Sequence, residues 1–280
     1  MKTNKIISVL CLTIFVALSC GLEAQDLVIL HTNDTHSNIE PATSGRNAGT
    51  GGVQRRANYF AAVKEANKNV LILDAGDYNQ GTPYFTLFGG EAEIELNNAM
   101  GYEAVALGNH EFDNGVEHLA NRLKKALYPT LCANYDFSGT PLEKIVKPYV
   151  IIKKGGRRIG IIGVTLDLHG YVAEKSRAGV KYSNPIPVVN ELAAKLKNRK
   201  GCDLVIVLSH IGYDGGSPDN PADKDLAALT SNVDIIIGGH SHTFMEKPEV
   251  VMNRDGKGVI INQTGAAGVY VGRIDITFKN

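Results

Sequence analysis

Histidine, aspartate and asparagine, residue types that hold metal ions, gather at five places in this chain in short clusters. The clusters are His31-Thr32-Asn33-Asp34-Thr35-His36, Asp74-Ala75-Gly76-Asp77, Gly108-Asn109-His110-Glu111, Ser209-His210 and Gly238-Gly239-His240-Ser241-His242. Imidazoles suit zinc, iron or nickel, and the oxygen donors of Asp and Asn keep harder ions such as manganese in contention. Brought together, the clusters would supply the coordination of two ions. A pair of cations about 3.5–4 Å apart is an arrangement that hydrolyses phosphate esters. Taken singly each cluster says little, since an Asp at a strand end is more often a helix cap than a ligand.

What must position them is visible just upstream. Leu27–Leu30, Val70–Leu73, Ala104–Leu107, Leu204–Leu208 and Ile235–Ile237 are near-continuous apolar runs, each leading directly into one cluster. Runs of this length and composition predict strands buried on both faces. In α/β folds ligands bind beyond the carboxyl ends of such strands, where all five clusters lie. Helical spacing appears over Val53–Ala66, Glu91–Met100, Gly115–Leu127, Val188–Leu196 and Asp223–Leu229. The tail differs: Val250–Met252, Val259–Asn262 and Val269–Phe278 are strand-like, with Asp255-Gly256 a hairpin signal, and Gly155-Gly156 joins Tyr149–Ile152 to Ile159–Val164. The pattern predicts an α/β fold with two sheets, one mostly parallel and one richer in hairpins. Glu40–Gly52 and Tyr213–Pro221 read as surface loops, the second following directly on His210. Gly51-Gly52 opens the first helix, either as an anion cradle or as a plain solvated helix start.

Composition narrows the partners. Lys+Arg and Asp+Glu both number 29 in 280 residues, so nothing in the balance argues for a nucleic-acid polymer or an acidic tail. A phosphorylated small molecule would have to be attracted locally by a site. Lys2 and Lys5 precede the apolar run Ile6–Leu18 and the small residues Ser19, Cys20 and Gly21, the pattern of a secretory signal too short to span a bilayer. Two readings stand: cleavage after Ala24, giving a signal peptide over 1–24 and one domain over 25–280, or cleavage before Cys20, giving a lipid-anchored N-terminus. Either places the protein outside the cytoplasm, in a bacterial periplasm or on a membrane through its lipid. Asn33-Asp34-Thr35 and Asn262-Gln263-Thr264 fit the glycosylation pattern, and a glycan on Asn33 would crowd Asp34, which favours the bacterial route. Cys132 and Cys202 lie in or beside apolar runs and read as buried free thiols.

In order and wording these five blocks resemble the calcineurin-like metallophosphoesterase superfamily, whose blocks read D-x-H, GD, GNH[ED], H and GHxH. His31-Thr32-Asn33-Asp34, Gly108-Asn109-His110-Glu111-Phe112-Asp113 and Gly239-His240-Ser241-His242 are similar to its bacterial 5′-nucleotidase branch. The resemblance covers the chain from about Asp26 to the end and implies a four-layer α/β/β/α sandwich. It implies two divalent ions, zinc or manganese among them, one held by Asp34, His36 and His242, the other by Asn109, His210 and His240, with Asp77 bridging. Two divalent ions, two carboxylates and a hydroxide would leave a charge of about +1, enough to draw a phosphate into an otherwise neutral protein. The implied reaction is in-line attack on phosphorus by a hydroxide held between the ions. His110 and Asp113 resemble the family's His-Asp dyad, in which the imidazole stabilises the transition state or protonates the leaving oxygen. No residue is assigned to an organic cofactor.

The remaining residues receive quieter readings. His118 is expected at the surface of a helix and His169 in a loop that could approach the site. His31 is expected either in the core or hydrogen-bonded behind the ligands, with Asp74 and Glu111 orienting the ligands. Many 5′-nucleotidases of this type carry a second, C-terminal domain for the nucleoside, and that half has no counterpart before Asn280. Nucleotide-like phosphomonoesters are the favoured substrates. The alternatives are a phosphodiesterase acting on cyclic nucleotides, or a metal-binding subunit inactive without a separate C-terminal 5′-nucleotidase domain protein.

Overall fold

A computed structural model describes residues 26–278; the proposed signal segment 1–24 lies outside the described residues. The chain opens with β1 (Leu27–Thr32), α1 (Val53–Ala66), β2 (Val70–Asp74), α2 (Pro83–Phe88), α3 (Glu91–Met100), β3 (Ala104–Ala106), α4 (Val116–Leu123) and β4 (Thr130–Leu131). It continues through β5 (Tyr135–Asp136), β6 (Tyr149–Lys154), β7 (Arg157–Thr165), β8 (Lys181–Tyr182), α5 (Pro185–Ala194), β9 (Leu204–His210), α6 (Asp223–Leu229) and β10 (Ile235–Gly238). It closes with β11 (Glu249–Met252), β12 (Gly258–Asn262) and β13 (Gly272–Ile276).

Two sheets carry the fold. The first runs β13-β1-β2-β3-β4, parallel except for β13, which returns antiparallel to β1. The second runs β11-β12-β10-β9-β7-β6, parallel in its middle with a hairpin at each edge. Parallel pairing dominates the first sheet and both hairpins, β6–β7 and β11–β12, lie in the second, as the apolar pattern predicts; the tail is divided, β11 and β12 extending the second sheet while β13 crosses to the first.

The continuous apolar runs follow from this stacking. On β1, Leu27 and Ile29 point into the layer between the sheets, whereas Val28 and Leu30 point outward against α1, α3 and α4. On β9, Leu204, Ile206 and Leu208 enter the middle layer, and Val205 and Val207 pack outward against α5 and α6. With helices outside both sheets the arrangement is the expected four-layer α/β/β/α sandwich. Burying one such Leu, Ile or Val contributes about 1.5–3 kcal/mol, and a polar residue on either face of a central strand is costly unless it finds a partner.

Element boundaries differ from the apolar spacing where turn chemistry outweighs periodicity. The helix expected over Gly115–Leu127 stops at Leu123, and the chain passes through turns to Pro129 and β4; Leu127 is left 86% exposed. α5 starts at Pro185, earlier than its apolar spacing suggests, because Asn184 caps it through Ile186 N (3.0 Å) and Pro185 occupies its first turn. α2 is not legible in the sequence, being an apolar segment with no buried face. Cys132 and Cys202 are free and buried.

Candidate metal centre

The functional residues sit where the two sheets' strands run out together. Asp34 and His36 follow β1, Asp77 follows β2 and Asn109 follows β3. His210 ends β9, and His240 and His242 follow β10. The loops after β1 and β2 are laced to each other: Ala75 N donates to Thr32 O (3.0 Å), Asp34 N to Gly76 O (2.9 Å) and His36 N to Asp77 O (3.0 Å).

Backbone strain concentrates here. Nine non-glycine residues among those described have positive φ, and five of them are Asp34 (49°), His36 (47°), Asp77 (55°), His240 (71°) and His242 (52°). Asp, Asn and His tolerate this region better than other side chains, yet each such residue still costs on the order of 1 kcal/mol. Surrounding bonds hold the turns in place. Glu111 accepts hydrogen bonds from Gly108 N (2.6 Å), Asp77 N (2.9 Å) and Asn79 N (3.2 Å), and Asp74 accepts from Thr32 Oγ1 (2.5 Å) and Gly76 N (2.9 Å). Burial pushes these two carboxyls up, Asp74 to about 7 and Glu111 to about 8.

The side-chain tips form three overlapping triads, each with its donor atoms within 4.8 Å of one another: Asp34–His36–His242, His36–Asp77–His110 and Asp77–His210–His240. His36 Nε2 lies 2.9 Å from His242 Nε2, which is 3.4 Å from Asp34 Oδ1. His210 Nε2 lies 3.0 Å from Asp77 Oδ2, and Asn109 Oδ1 lies 3.1 Å from His240 Nδ1. All seven expected ligand residues are thus brought together, drawn from both sheets.

The donor set fits metal ions. His36 Nδ1 donates to Asn79 O (3.2 Å) and His210 Nδ1 to Ala75 O (2.7 Å), which turns both Nε2 atoms towards the cluster, the orientation found in metal-bound histidines; at His210 an ion would replace the Nε2 proton. Two imidazole nitrogens face each other beside a buried carboxylate, a contact that a cation between them would satisfy. Space is reserved as well. A Cβ at Gly108 would collide with Asp77 Oδ1, and one at Gly239 would come within 2.7 Å of His210 Nδ1 and 3.2 Å of Asp34 Oδ2.

Charge tells the same story. Burial opposes a charge on His210, but Asp77 and Asp34 outweigh it and push the imidazole up to about 10. Burial likewise works against ionised Asp77, yet the His210, His110 and His36 rings hold it well below the usual carboxylate range. Burial and the neighbouring His210 drive His240 down to about 4. The buried carboxylates demand positive charge, and in the bare protein His210 supplies it.

Other residues settle as follows. His110 Nδ1 lies 2.8 Å from Asp113 Oδ2, and this bond raises the imidazole's pKa against partial burial. His118 is half-buried rather than a free surface residue, its Nε2 donating to Gly89 O (2.7 Å) at the end of α2. His169 lies on the wall of a cavity that His240 also lines. Both glycosylation-pattern asparagines, Asn33 and Asn262, are buried. Two contributors escape the sequence reading. Asn33 donates to Asp34 Oδ2 (2.6 Å) and to Gly265 O (2.7 Å), and Gln263 donates to Gly239 O (2.9 Å) while accepting from Ser241 Oγ (3.1 Å) and Thr243 N. Asn33 adjoins a named block, which is a usable signal; Gln263 lies in the tail with no local cue.

This fold and cluster define a phosphoesterase scaffold, and the chain belongs to the calcineurin-like phosphoesterase family, whose model matches residues 27–244. It is 35% identical to the 5′-nucleotidase of Bos taurus over 276 residues, covering 90% of this chain and 46% of the bovine protein. Among solved structures it is similar to a 5′-nucleotidase precursor from Thermus thermophilus (TM-score 0.82, 37% identity, 90% of this chain and 51% of that one). It is also similar to the NAD nucleotidase of Haemophilus influenzae (TM-score 0.77, 31% identity, 88% and 46%). The chain spans about half the length of the curated relatives it matches.

Proposed function

We propose that this chain hydrolyses phosphomonoesters, nucleotides foremost, with two divalent ions such as zinc or manganese. Asp34, His36 and His242 would hold one ion and Asn109, His210 and His240 the other, with Asp77 shared. The observation that carries the reading is the chaining of three donor triads through His36 and Asp77. Ions bound there lower the pKa of a coordinated water and take up charge from the phosphoryl oxygens. The chain's own residues do the rest. Asn79 O and Ala75 O fix the ring orientations of His36 and His210. Glu111 holds the loops of Asp77 and Asn109 in register. Asp113 fixes the His110 ring and favours its protonated form, so that the imidazolium can give a proton to the departing oxygen.

The test uses protein stripped by chelator and reloaded with manganese or zinc, assayed on p-nitrophenyl phosphate, bis(p-nitrophenyl) phosphate and adenosine 5′-monophosphate. Monoester hydrolysis should require metal. His110→Ala should retain both ions by elemental analysis and lose roughly 10²–10⁴ in kcat. Turnover of the diester alone supports the cyclic-nucleotide phosphodiesterase reading. Turnover that appears only with a separate C-terminal-domain protein supports the subunit reading, and silence at full occupancy in every arm sinks all of them. Export belongs to the proposal too, and accords with relatives described as snake venom 5′-nucleotidases and with the precursor from Thermus thermophilus. Mass spectrometry of the mature N-terminus separates cleavage after Ala24 from lipidation at Cys20.

A further inference from the structure

The metal-binding cluster opens on one side into a cavity of about 390 Å³ that the proposed chemistry leaves unused. Its walls are built by two loops that leave the same place. Thr165, the last residue of β7, lies opposite His210 in the ladder, and Leu166 N donates to His210 O (3.0 Å). Beyond that bond the chain after β7 swings out to Tyr171, and the chain after β9 swings out along residues 211–222. His240 and Ser241 close the cavity at its inner end. Tyr213 N donates to Ser241 Oγ (3.0 Å), which ties the second loop to the ligand-bearing turn.

Volume, position and wall chemistry all suit the alcohol half of a phosphoester. The size matches pockets that take ring-bearing small molecules, and His240 belongs to both the cluster and the cavity wall, so a group attached to a phosphate at the cluster can extend into the cavity. Tyr171 stands beside His240, the two rings nearly perpendicular with centroids 5.0 Å apart, and 59% of the tyrosine's surface is exposed. Its free face is a platform for a planar ring. Tyr182 contributes a second aromatic wall. No Lys or Arg lines the cavity, whereas two carboxylates do. Asp214 is paired with Lys224 (3.2 Å). Asp167 accepts a backbone hydrogen bond from His169 (3.0 Å), and among the described residues no cation pairs with it. A leaving group carrying a second phosphate would meet that carboxylate uncompensated.

Building on the phosphoesterase reading, we infer that this cavity seats the leaving alcohol, with Tyr171 stacking on its ring and Asp167 rejecting esters that bear another anionic group. The chain thereby carries its own means of choosing uncharged, ring-bearing alcohols.

The experiment compares kcat/KM of the manganese-loaded protein for adenosine 5′-monophosphate, adenosine 3′,5′-bisphosphate and glycerol phosphate, in wild type, Tyr171→Ala and Asp167→Asn. Base stacking on an aromatic side chain corresponds to roughly a tenfold to hundredfold effect. Tyr171→Ala should lower the preference for the nucleotide over glycerol phosphate by that factor, mainly through KM. Asp167→Asn should narrow the preference for the monophosphate over the bisphosphate. An unchanged nucleotide-to-glycerol ratio in Tyr171→Ala overturns the inference. Calorimetric titration with adenosine alone reads the cavity without turnover. Binding that weakens in Tyr171→Ala supports the assignment even if no ester is hydrolysed, in which case the phosphoesterase reading falls by itself. Absence of adenosine binding to the wild type overturns the cavity assignment whether or not esters are hydrolysed.

Discussion

His31 provides a sharp test of how dry the layer between the sheets is. Its side chain is wholly buried at the end of β1, and neither ring nitrogen has a hydrogen-bond partner. Its register partner on β13 is Gly272, where a Cβ would collide with the imidazole. Burial drives the pKa from 6.5 down to about 4; the nearby Asn262 side chain, which makes no full hydrogen bond to the ring, raises it without overcoming burial. The sign follows from linkage. The unfolded chain binds a proton below pH 6.5 and the folded chain does not, so this contribution is intact above 6.5 and is lost as pH falls toward about 4. At pH 4.5 the shift corresponds to about 2.5 kcal/mol, and at pH 7.5 to almost nothing. Urea unfolding of wild type and His31→Leu, both with chelator present, should give a difference in stability that grows in the variant's favour by about 2–3 kcal/mol between these two pH values. Taking the difference cancels the other titrating groups, provided they do not contact His31. A difference that stays flat across that range would mean that His31 is protonated or hydrated in the folded state, and the reasoning would fail.

Three further outcomes follow from contacts around the cluster. Asn33→Ala removes four hydrogen bonds, two to Thr264 (2.7 and 2.9 Å), one to Asp34 and one to Gly265, leaving buried partners unsatisfied. It should cost about 2–4 kcal/mol in urea unfolding and weaken metal affinity roughly tenfold to hundredfold by titration. Gly108→Ala places a methyl where Asp77 Oδ1 lies, so bound metal measured by elemental analysis should fall well below two ions per chain while the far-ultraviolet circular dichroism stays native. Gln263→Leu breaks the ties to Gly239 O, Ser241 and Thr243; metal affinity should drop more than global stability, and an unchanged affinity would show that the His240 turn holds its shape without Gln263.

The difference between what the sequence discloses and what it hides has a physical pattern. Strands buried on both faces cannot tolerate polar interruptions, so β1, β2, β3, β9 and β10 are legible as apolar runs, and the change to Asp, Asn and His marks their ends. The convergence of those ends is legible only through the family resemblance, because no local property of the Leu27 and Leu204 runs says that they belong to different sheets. The helix α2 is hidden since none of its six residues is buried, which removes the periodicity that would betray it. Gln263 is hidden for another reason: it acts across 24 residues on Gly239 O, and only the pairing of β12 with β10 brings the two together. The positive φ values at five cluster residues are likewise invisible in a sequence, where Asp and His look like ordinary polar loop residues.

The division of the cluster between the sheets has a consequence for stability. Asp34, His36, Asp77 and Asn109 come from the first sheet, and His210, His240 and His242 from the second, so two of the three triads cross the gap between them. An ion held by Asp34, His36 and His242, or by Asp77, His210 and His240, would therefore staple the two sheets at one end of the sandwich. Unfolding would separate the ligands, so the stapled form gains stability by mass action, about 2.7 kcal/mol when free metal stands at a hundred times its dissociation constant. Removing the metal should lower the thermal midpoint, and the drop should shrink in His242→Ala and His240→Ala, which each cut the donor set on the second sheet. A midpoint indifferent to chelator would mean that the sheets are locked by their shared apolar layer alone. The strained turns at Asp34, His36, Asp77, His240 and His242 would then owe their shape to the backbone and not to the ions.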